Sequence, residues 1–326
     1  MSAGAAIDDV WHWASRALLG RHRVSLLRWL RARRDLRRLG RADVAVVSFA
    51  KSGRTWLRVM LSRLLQTKYG LPEEIIIERD NLHRLNKSIP IFLFTQGSYI
   101  ADIRPIGGPA SPYHGKRLIF LARHPADTAV SYYFHNSNRI NPLKKDLKRL
   151  PEDLSETSLF EFVLNDTWGM PAIIRYLNGW AEALAQHPRH LLVRYEDLRI
   201  DPKPQLQRIS RLLGESFDET AYDDAIEFAS FERLQQMERT DFFGNQRLQP
   251  RDPDNPDSFK VRRGKVGGYR DYLNDREAAS IEQQIAEQLN PIYGYAEPLQ
   301  PNTEARNAGH SVNPTKPEVS SLVSRR

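Results

Sequence analysis

Residues 44–69, VAVVSFAKSGRTWLRVMLSRLLQTKY, constrain the fold more than any other stretch of the chain. They read as a short buried strand over 44–49, a tight polar turn over 51–55, and a helix. Within that helix Leu57, Met60, Leu61, Leu64 and Leu65 recur at offsets of three and four, so one apolar face packs back on the sheet. A strand, a turn carrying Lys and Ser/Thr, and the free N–H groups of a helix start together form a pocket for a tetrahedral anion. The order of residues is not that of the nucleotide-triphosphate loop. GxxxxGK[ST] places its Lys after a Gly, whereas Lys51 comes first here and Gly53 follows. That class also needs an acid on a neighbouring strand to hold Mg²⁺, and the apolar run 118–122 ends instead in Arg123, which suits a second anion. The alternative for Lys51, Ser52 and Thr55 is a capped helix start with a solvated lysine.

At 326 residues the chain is long enough for one sizeable domain or a domain with an inserted helical region. It has no cysteine, which excludes disulfides, thiolate nucleophiles and Cys metal sites and fits a reducing compartment. No apolar run is long enough to cross a bilayer, and the N-terminus does not have the shape of a signal peptide. The expected location is therefore cytoplasmic. A net charge of +8 calls for an anionic ligand or surface.

Residues 1–41 form a basic amphipathic arm, expected to be helical, in which Trp11, Trp13, Leu18, Leu19, Leu26, Leu27 and Leu30 alternate with arginines. Such an arm either lies peripherally on an anionic inner membrane face or a polyanionic acceptor, or packs its leucines on the domain and leaves its arginines in water. Residues 89–94 read as a core strand delivering Thr95, Gln96 and Gly97 to its carboxyl end, and 118–122 as the next strand. Open α/β sheets bind ligands at strand carboxyl ends. A helix starts at Pro125 and carries Ser131, eight residues after Arg123. Arg123 and Ser131 are placed to close on one phosphate, and Arg123 is equally placed to pair with Asp127. Residues 136–158 read as a polar loop or flap, 159–186 as helix broken at Met170-Pro171, 191–195 as a strand ending in Tyr195, and 202–213 as helix stopped by Gly214. Ser230 and Phe231 open another helix, 241–258 is a polar loop, and Arg262, Arg263, Gly264 and Lys265 form either a basic clamp or a solvated turn. A last helix spans 276–289, and a disordered tail is expected over 301–326.

Three of these segments resemble, in order, the cofactor site of the 3′-phosphoadenylyl sulfate (PAPS)-dependent sulfotransferases: AKSGRTWL at 50–57, FLARHPADTAVSYY at 120–133 and VRRGKVGGYRDYL at 261–273. RYEDL at 194–198 and SF at 230–231 are weaker matches, and the resemblance covers about 42–295, within a domain taken as 42–300. It implies a three-layer α/β fold with a central, mainly parallel sheet and a P-loop-like strand-turn-helix. It implies PAPS as donor, 3′-phosphoadenosine 5′-phosphate (PAP) as product, and no obligatory metal. By the same resemblance Lys51, Ser52, Gly53, Arg54 and Thr55 cradle the 5′ phosphosulfate, Trp56 stacks on the adenine with Ser230 and Phe231 near its other side, and Tyr195 approaches its edge. Arg123, Ser131, Arg262, Arg263 and Gly264 hold the 3′ phosphate. Lys51, Gln96 and Ser131 fall at the transfer chemistry.

The chain departs from the family pattern at three points. Gln96 occupies the slot where many relatives have a catalytic His, and an amide orients a hydroxyl without taking its proton. His83, His114, His135, Glu78 and Asp102 are the substitutes in sequence. Arg54 replaces the usual Thr and points toward acceptor or solvent, and Gly268 replaces an acid. The dimer signature is not recognisable, so oligomeric state is open. The acceptor is a hydroxylated small molecule, lipid or glycan. The competing classes are an ATP-using phosphotransferase, which lacks its loop here, and a non-enzymatic anionic-lipid or nucleic-acid binder built on the arm.

Overall fold

The computed structural model describes residues 22–138, 142–151, 154, 156–244 and 264–296. Four strands, β1 (Val44–Val47), β2 (Phe92–Thr95), β3 (Arg117–Ala122) and β4 (His190–Arg194), form a sheet in the order β2-β1-β3-β4. Every neighbouring pair is parallel, with Val44 opposite Phe92 and Arg117, and Leu118 opposite His190. Parallel strands need crossover connections, and these put helices on both faces of the sheet. The strand residues divide accordingly. Ala45, Val47, Leu118, Phe120 and Ala122 face one core with Ile173, Leu177, Trp180 and Leu184 of the helix Met170–Ala185. Val44, Val46, Ile119 and Leu121 face the other, with Leu57, Met60, Leu61, Leu64 and Leu65 of the helix Arg54–Tyr69. Each fully buried Leu, Ile or Phe adds roughly 1.5–3 kcal/mol by leaving water. The three-layer α/β architecture with a central parallel sheet follows from this two-sided burial, as the sequence predicts.

The strand order places a topological switch point between β1 and β3, where the chain turns outward from β1 to opposite sides. A crevice opens there at the carboxyl ends of the strands. The residues that leave those ends are 48–53 after β1, Gln96 after β2, Arg123 after β3 and Tyr195 after β4. Phe49 and Tyr195, taken as strand residues from sequence, lie just past the ladders. The interval read as a loop or flap contains a short helix, Pro142–Leu147.

The described part of the arm is the helix Arg23–Arg41, and residues 1–21 lie outside the described residues. The expected contact with an inner membrane face is corrected. Among the described residues no helix is long and apolar enough to cross a membrane. Three of the arm's basic groups, Arg23, Arg28 and Arg31, are turned onto the domain, while Arg33, Arg34 and Arg37 are exposed. Arg23 pairs with Asp146 and is itself buried. Arg28 grips Asp102 through Nε and Nη2 at 2.9 Å each and donates to the Leu147 carbonyl at 2.7 Å. Arg28 and Arg31 also lie over the Tyr99 ring, at 5.2 and 5.8 Å. The alternative of inward leucines and solvated arginines is met only in part, since Ala32 and Leu39 are buried while Leu26, Trp29 and Leu30 are exposed. The expected tail over 301–326 and most of the 241–258 loop fall outside the described residues.

Candidate active site

The loop after β1 coils tightly because two of three consecutive positions are left-handed, Lys51 at φ 69° and Gly53 at φ 88°. That conformation suits Gly53 and strains Lys51, and such strain collects at ligand loops. Gly53 is the N-cap of the helix Arg54–Tyr69 and no side chain caps it. The reading of Lys51, Ser52 and Thr55 as a side-chain-capped helix start is therefore not what forms, and the first-turn N–H groups face the crevice. A Cβ on Gly53 would stand 2.5 Å from Cδ2 of Tyr195, so the glycine also lets that ring close on the loop. Ser52 is buried, and Lys51 and Thr55 are half-buried.

Arg54 does not point to acceptor or solvent. Its Nη1 donates to the carbonyls of Ser48 at 3.0 Å and Thr95 at 2.6 Å, and to the Ser48 hydroxyl at 3.1 Å. The Ser48 carbonyl lies just past β1, and the Thr95 carbonyl ends β2 and also accepts the Ser48 N–H at 3.2 Å; the guanidinium donates to both. Arg54 thus offers the crevice its backbone amide, while its side chain pins two strand ends together.

Arg123 is the hub of the second anion motif. Nη1 donates to the Lys51 carbonyl at 2.9 Å and Nη2 to the Lys265 carbonyl at 3.4 Å. Its Cζ lies 4.5 Å over the Tyr195 ring. Asp127 is 3.9 Å away, but its carboxylate is occupied by the N–H groups of Gly267 at 2.8 Å and Tyr269 at 2.9 Å. The Arg123–Asp127 bridge considered from sequence is thus a looser contact, and Asp127 instead fastens the third segment to the helix Pro125–Asn138. Burial pushes the Asp127 carboxyl up, against the pull of Arg123 and these N–H groups. Ser131 lies two turns along the same helix, half-buried, with no hydrogen-bond partner among the described residues.

The aromatic residues converge beside this hub. Trp56 donates its indole N–H to the Ala229 carbonyl at 2.8 Å and meets Tyr195 edge-on, with ring centres 5.9 Å apart. Ser230 is the N-cap of the helix Phe231–Arg239. Gly264 takes a left-handed φ of 62°, and a Cβ there would make ordinary contact with Phe231, 3.5 Å from its Cδ2. Arg262 and Arg263 lie outside the described residues. Arg199, which the sequence reading missed, stands over Trp56 at 5.3 Å. Only its place one turn after Tyr195 in RYEDLR could have signalled it.

The acceptor side carries Gln96, half-buried, whose carbonyl accepts the Tyr176 hydroxyl at 2.6 Å. Burial raises the Tyr176 phenol well above its ordinary value, so it stays protonated as a donor. Three base candidates are displaced from this spot. Asp102 is held by Arg28. His83 bonds the Ile89 carbonyl at 2.7 Å, before β2. His114 packs 6.2 Å from His187, before β3. Both histidines therefore sit at the amino ends of the strands, opposite the crevice. His135 lies one turn past Ser131 on the same helix face. Glu78 sits in the turn before the helix Asn81–Leu85, its N–H bound to Asn81 Oδ1 at 2.8 Å.

His124 is a support rather than a base. Its N–H donates to Glu196 at 2.9 Å, and its ring stacks on Tyr269 at 5.2 Å. Burial, then Arg123, Arg270 and Arg194, push it down to about 3. Between its unfolded value of 6.5 and that value the unfolded chain binds the extra proton, so stability falls as pH is lowered through this window. At about 1.4 kcal/mol per pH unit, roughly 2 kcal/mol is lost by pH 5. Glu196, pushed up by burial, acts with the opposite sign, so the histidine is isolated by comparison with His124→Asn. Melting temperatures measured from pH 4 to 7 should show a shallower slope in that variant, and an unchanged slope would contradict the assignment.

A parallel sheet with an uncapped helix-start loop and a half-buried guanidinium at its switch point is a P-loop-like α/β arrangement. The sulfotransferase domain model matches residues 114–292, more than half of the chain, and the chain belongs to that family. Mouse sulfotransferase 1B1 is 25% identical over 290 residues, covering 82% of this chain and 90% of that protein. The flavonol 3-sulfotransferase of Flaveria bidentis is 26% identical over 264 residues, covering 76% and 81%. Among solved structures, mouse sulfotransferase SULT7A1 complexed with PAP aligns at TM-score 0.49 and 17% identity, covering 78% of this chain and 89% of that one. The protein is an enzyme of the sulfotransferase family, and PAPS-dependent sulfuryl transfer is its general chemistry.

Proposed function

We propose that the chain, with 42–300 as its catalytic unit, transfers a sulfuryl group from PAPS to an acceptor hydroxyl or amine by in-line displacement, releasing PAP. The observation that carries this reading is the junction at Arg123, which ties the Lys51 loop to the Lys265 turn and brings two anion-binding segments to one crevice. The residues fit such a nucleotide by an independent sign: Arg123 Nε is buried and has no hydrogen-bond partner among the described residues, so one N–H of the hub is left for a ligand. The donor supplies an activated sulfuryl group and a 3′ phosphate that separates it from ADP.

Ser52, Gly53, Arg54 and Thr55 present backbone and hydroxyl donors to the 5′ side. Lys51 places its ammonium where charge develops on the leaving oxygen. Arg123, Ser131 and Gly264, with Arg262 and Arg263, bind the 3′ phosphate. Trp56, Tyr195, Ser230 and Phe231 enclose the base. Gln96 orients the acceptor without accepting its proton. Phe49, 5.6 Å from Tyr132 and 5.2 Å from Tyr176, gives the acceptor side an aromatic wall suited to an apolar acceptor body. Two of the arm's arginines, Arg23 and Arg28, are spent on Asp146 and Asp102, which anchors the arm to the domain.

Incubation with sulfur-labelled PAPS and a panel of phenols, alcohols and amines in EDTA tests the reading. Labelled product with release of PAP is expected. Absence of transfer to every acceptor, together with absence of PAP binding, would contradict it.

A further inference from the structure

The guanidinium of Arg199 has no part in the roles assigned above. It extends from the helix Tyr195–Ile200, one turn past Tyr195, and is half-buried. Its Cζ lies 5.3 Å from the centre of the Trp56 ring on one side. On another it is 3.6 Å from where a Cβ of Gly264 would sit, beside Phe231. Among the described residues, Arg123, Arg194 and Lys265 around this cleft are engaged. Arg123 bonds two carbonyls. Arg194 lies over the Tyr295 ring and reaches Asp197 at 4.0 Å. Lys265 pairs with Asp271 at 2.6 Å. Arg199 has no carboxylate or hydrogen-bond partner among the described residues.

Half-buried and uncommitted to any hydrogen-bond partner among the described residues, the Arg199 guanidinium has its five donors available to a ligand that enters beside Trp56. The side chain spans from the indole to the glycine turn, and that turn is the one Arg123 approaches from its other side through Lys265. Two guanidiniums thus flank one turn at the edge of the base slot. A dianionic phosphate is the group that two such forks accept together.

We propose that Arg199 is a further nucleotide-binding residue, which from its place beside Trp56 gives its guanidinium to the 3′ phosphate of the bound nucleotide. This rests on the PAPS reading above. Arg199 then contributes to discrimination between 3′-phosphorylated and plain adenine nucleotides, and Gly264, whose φ of 62° favours glycine, holds the turn beside both Arg199 and Phe231.

Calorimetric titration of the full chain with PAP and with ADP, without Mg²⁺, tests the proposal in wild type, Arg199→Ala and Arg199→Lys. Arg199→Ala is expected to weaken PAP by at least about tenfold and ADP by less than about threefold. Arg199→Lys, which keeps the charge and loses the fork, should fall between. Unchanged PAP affinity, or equal weakening of PAP and ADP, would overturn the role of Arg199 while leaving the PAPS reading intact. A wild type that does not prefer PAP to ADP would overturn both. Should Arg199→Ala fail to fold, Arg199→Gln against Arg199→Lys decides: loss of preference in the glutamine variant alone supports the proposal, and wild-type preference in both contradicts it.

Discussion

Replacing Lys51 by Ala should lower the turnover of sulfuryl transfer by roughly 10²–10³-fold, equivalent to about 3–4 kcal/mol of transition-state stabilisation. Lys51 leaves the end of β1 in a left-handed conformation, and its carbonyl is held by Arg123 at 2.9 Å. The backbone is thus fixed independently of the side chain, and the substitution removes the ammonium while leaving the loop anchored. Because the charge it answers is greater in the transition state than in the bound donor, the loss should fall on kcat more than on PAPS binding. Lys51→Arg keeps the charge but spreads it over a planar fork, and should recover only part of the rate. Single-turnover kinetics under saturating PAPS measure the step directly. An unchanged rate in Lys51→Ala would remove the proposed charge neutralisation.

Arg123→Ala should have a larger effect on affinity than on chemistry. Arg123 serves three structures at once: the Lys51 carbonyl, the Lys265 carbonyl and the Tyr195 ring. Its removal leaves two carbonyls without this donor, at about 1–3 kcal/mol for each that stays buried and unpaired. It also deletes the forked donor proposed for the 3′ phosphate. PAP affinity should fall by roughly 10²-fold or more, which corresponds to about 3 kcal/mol for a charged hydrogen bond lost together with preorganisation. ADP should fall far less, and the melting temperature should drop. Arg123→Lys separates the two losses: it restores charge near the site, but one ammonium cannot span both carbonyls and a phosphate. If both variants kept the wild-type preference for PAP over ADP, the second motif would not bind the 3′ phosphate.

The parts of the fold legible in sequence were those set by periodicity. The run 44–47 is buried on both sides because its strand is central, and the leucines of the helix Arg54–Tyr69 repeat at helical spacing. The four strand ends that meet at the crevice were each within about two residues of their place, since Lys51, Gln96, Arg123 and Tyr195 follow apolar runs of strand length. Side-chain direction was not legible. Arg54 turns inward because the Thr95 carbonyl, 41 residues later, ends its ladder beside β1, and only the register of β1 with β2 reveals that. His83 and His114 looked near Gln96 in sequence, but they precede strands rather than follow them, and a parallel sheet sends the two ends to opposite edges. Arg199 was invisible because its setting is made by Trp56, Phe231 and Gly264, three distant segments brought together by the sheet order. The arm was ambiguous in composition, and the acids that resolve it, Asp102 and Asp146, lie in segments that periodicity leaves unassigned.

In the proposed function the crevice at the β1/β3 switch point is built for a 3′-phosphorylated adenine nucleotide. This is tested most directly by calorimetric titration of the full chain with PAP beside ADP, in the absence of Mg²⁺. Tight binding of PAP, with ADP weaker by at least about tenfold, is the predicted result. Equal binding of the two nucleotides, or binding that appears only when Mg²⁺ is added, would contradict it.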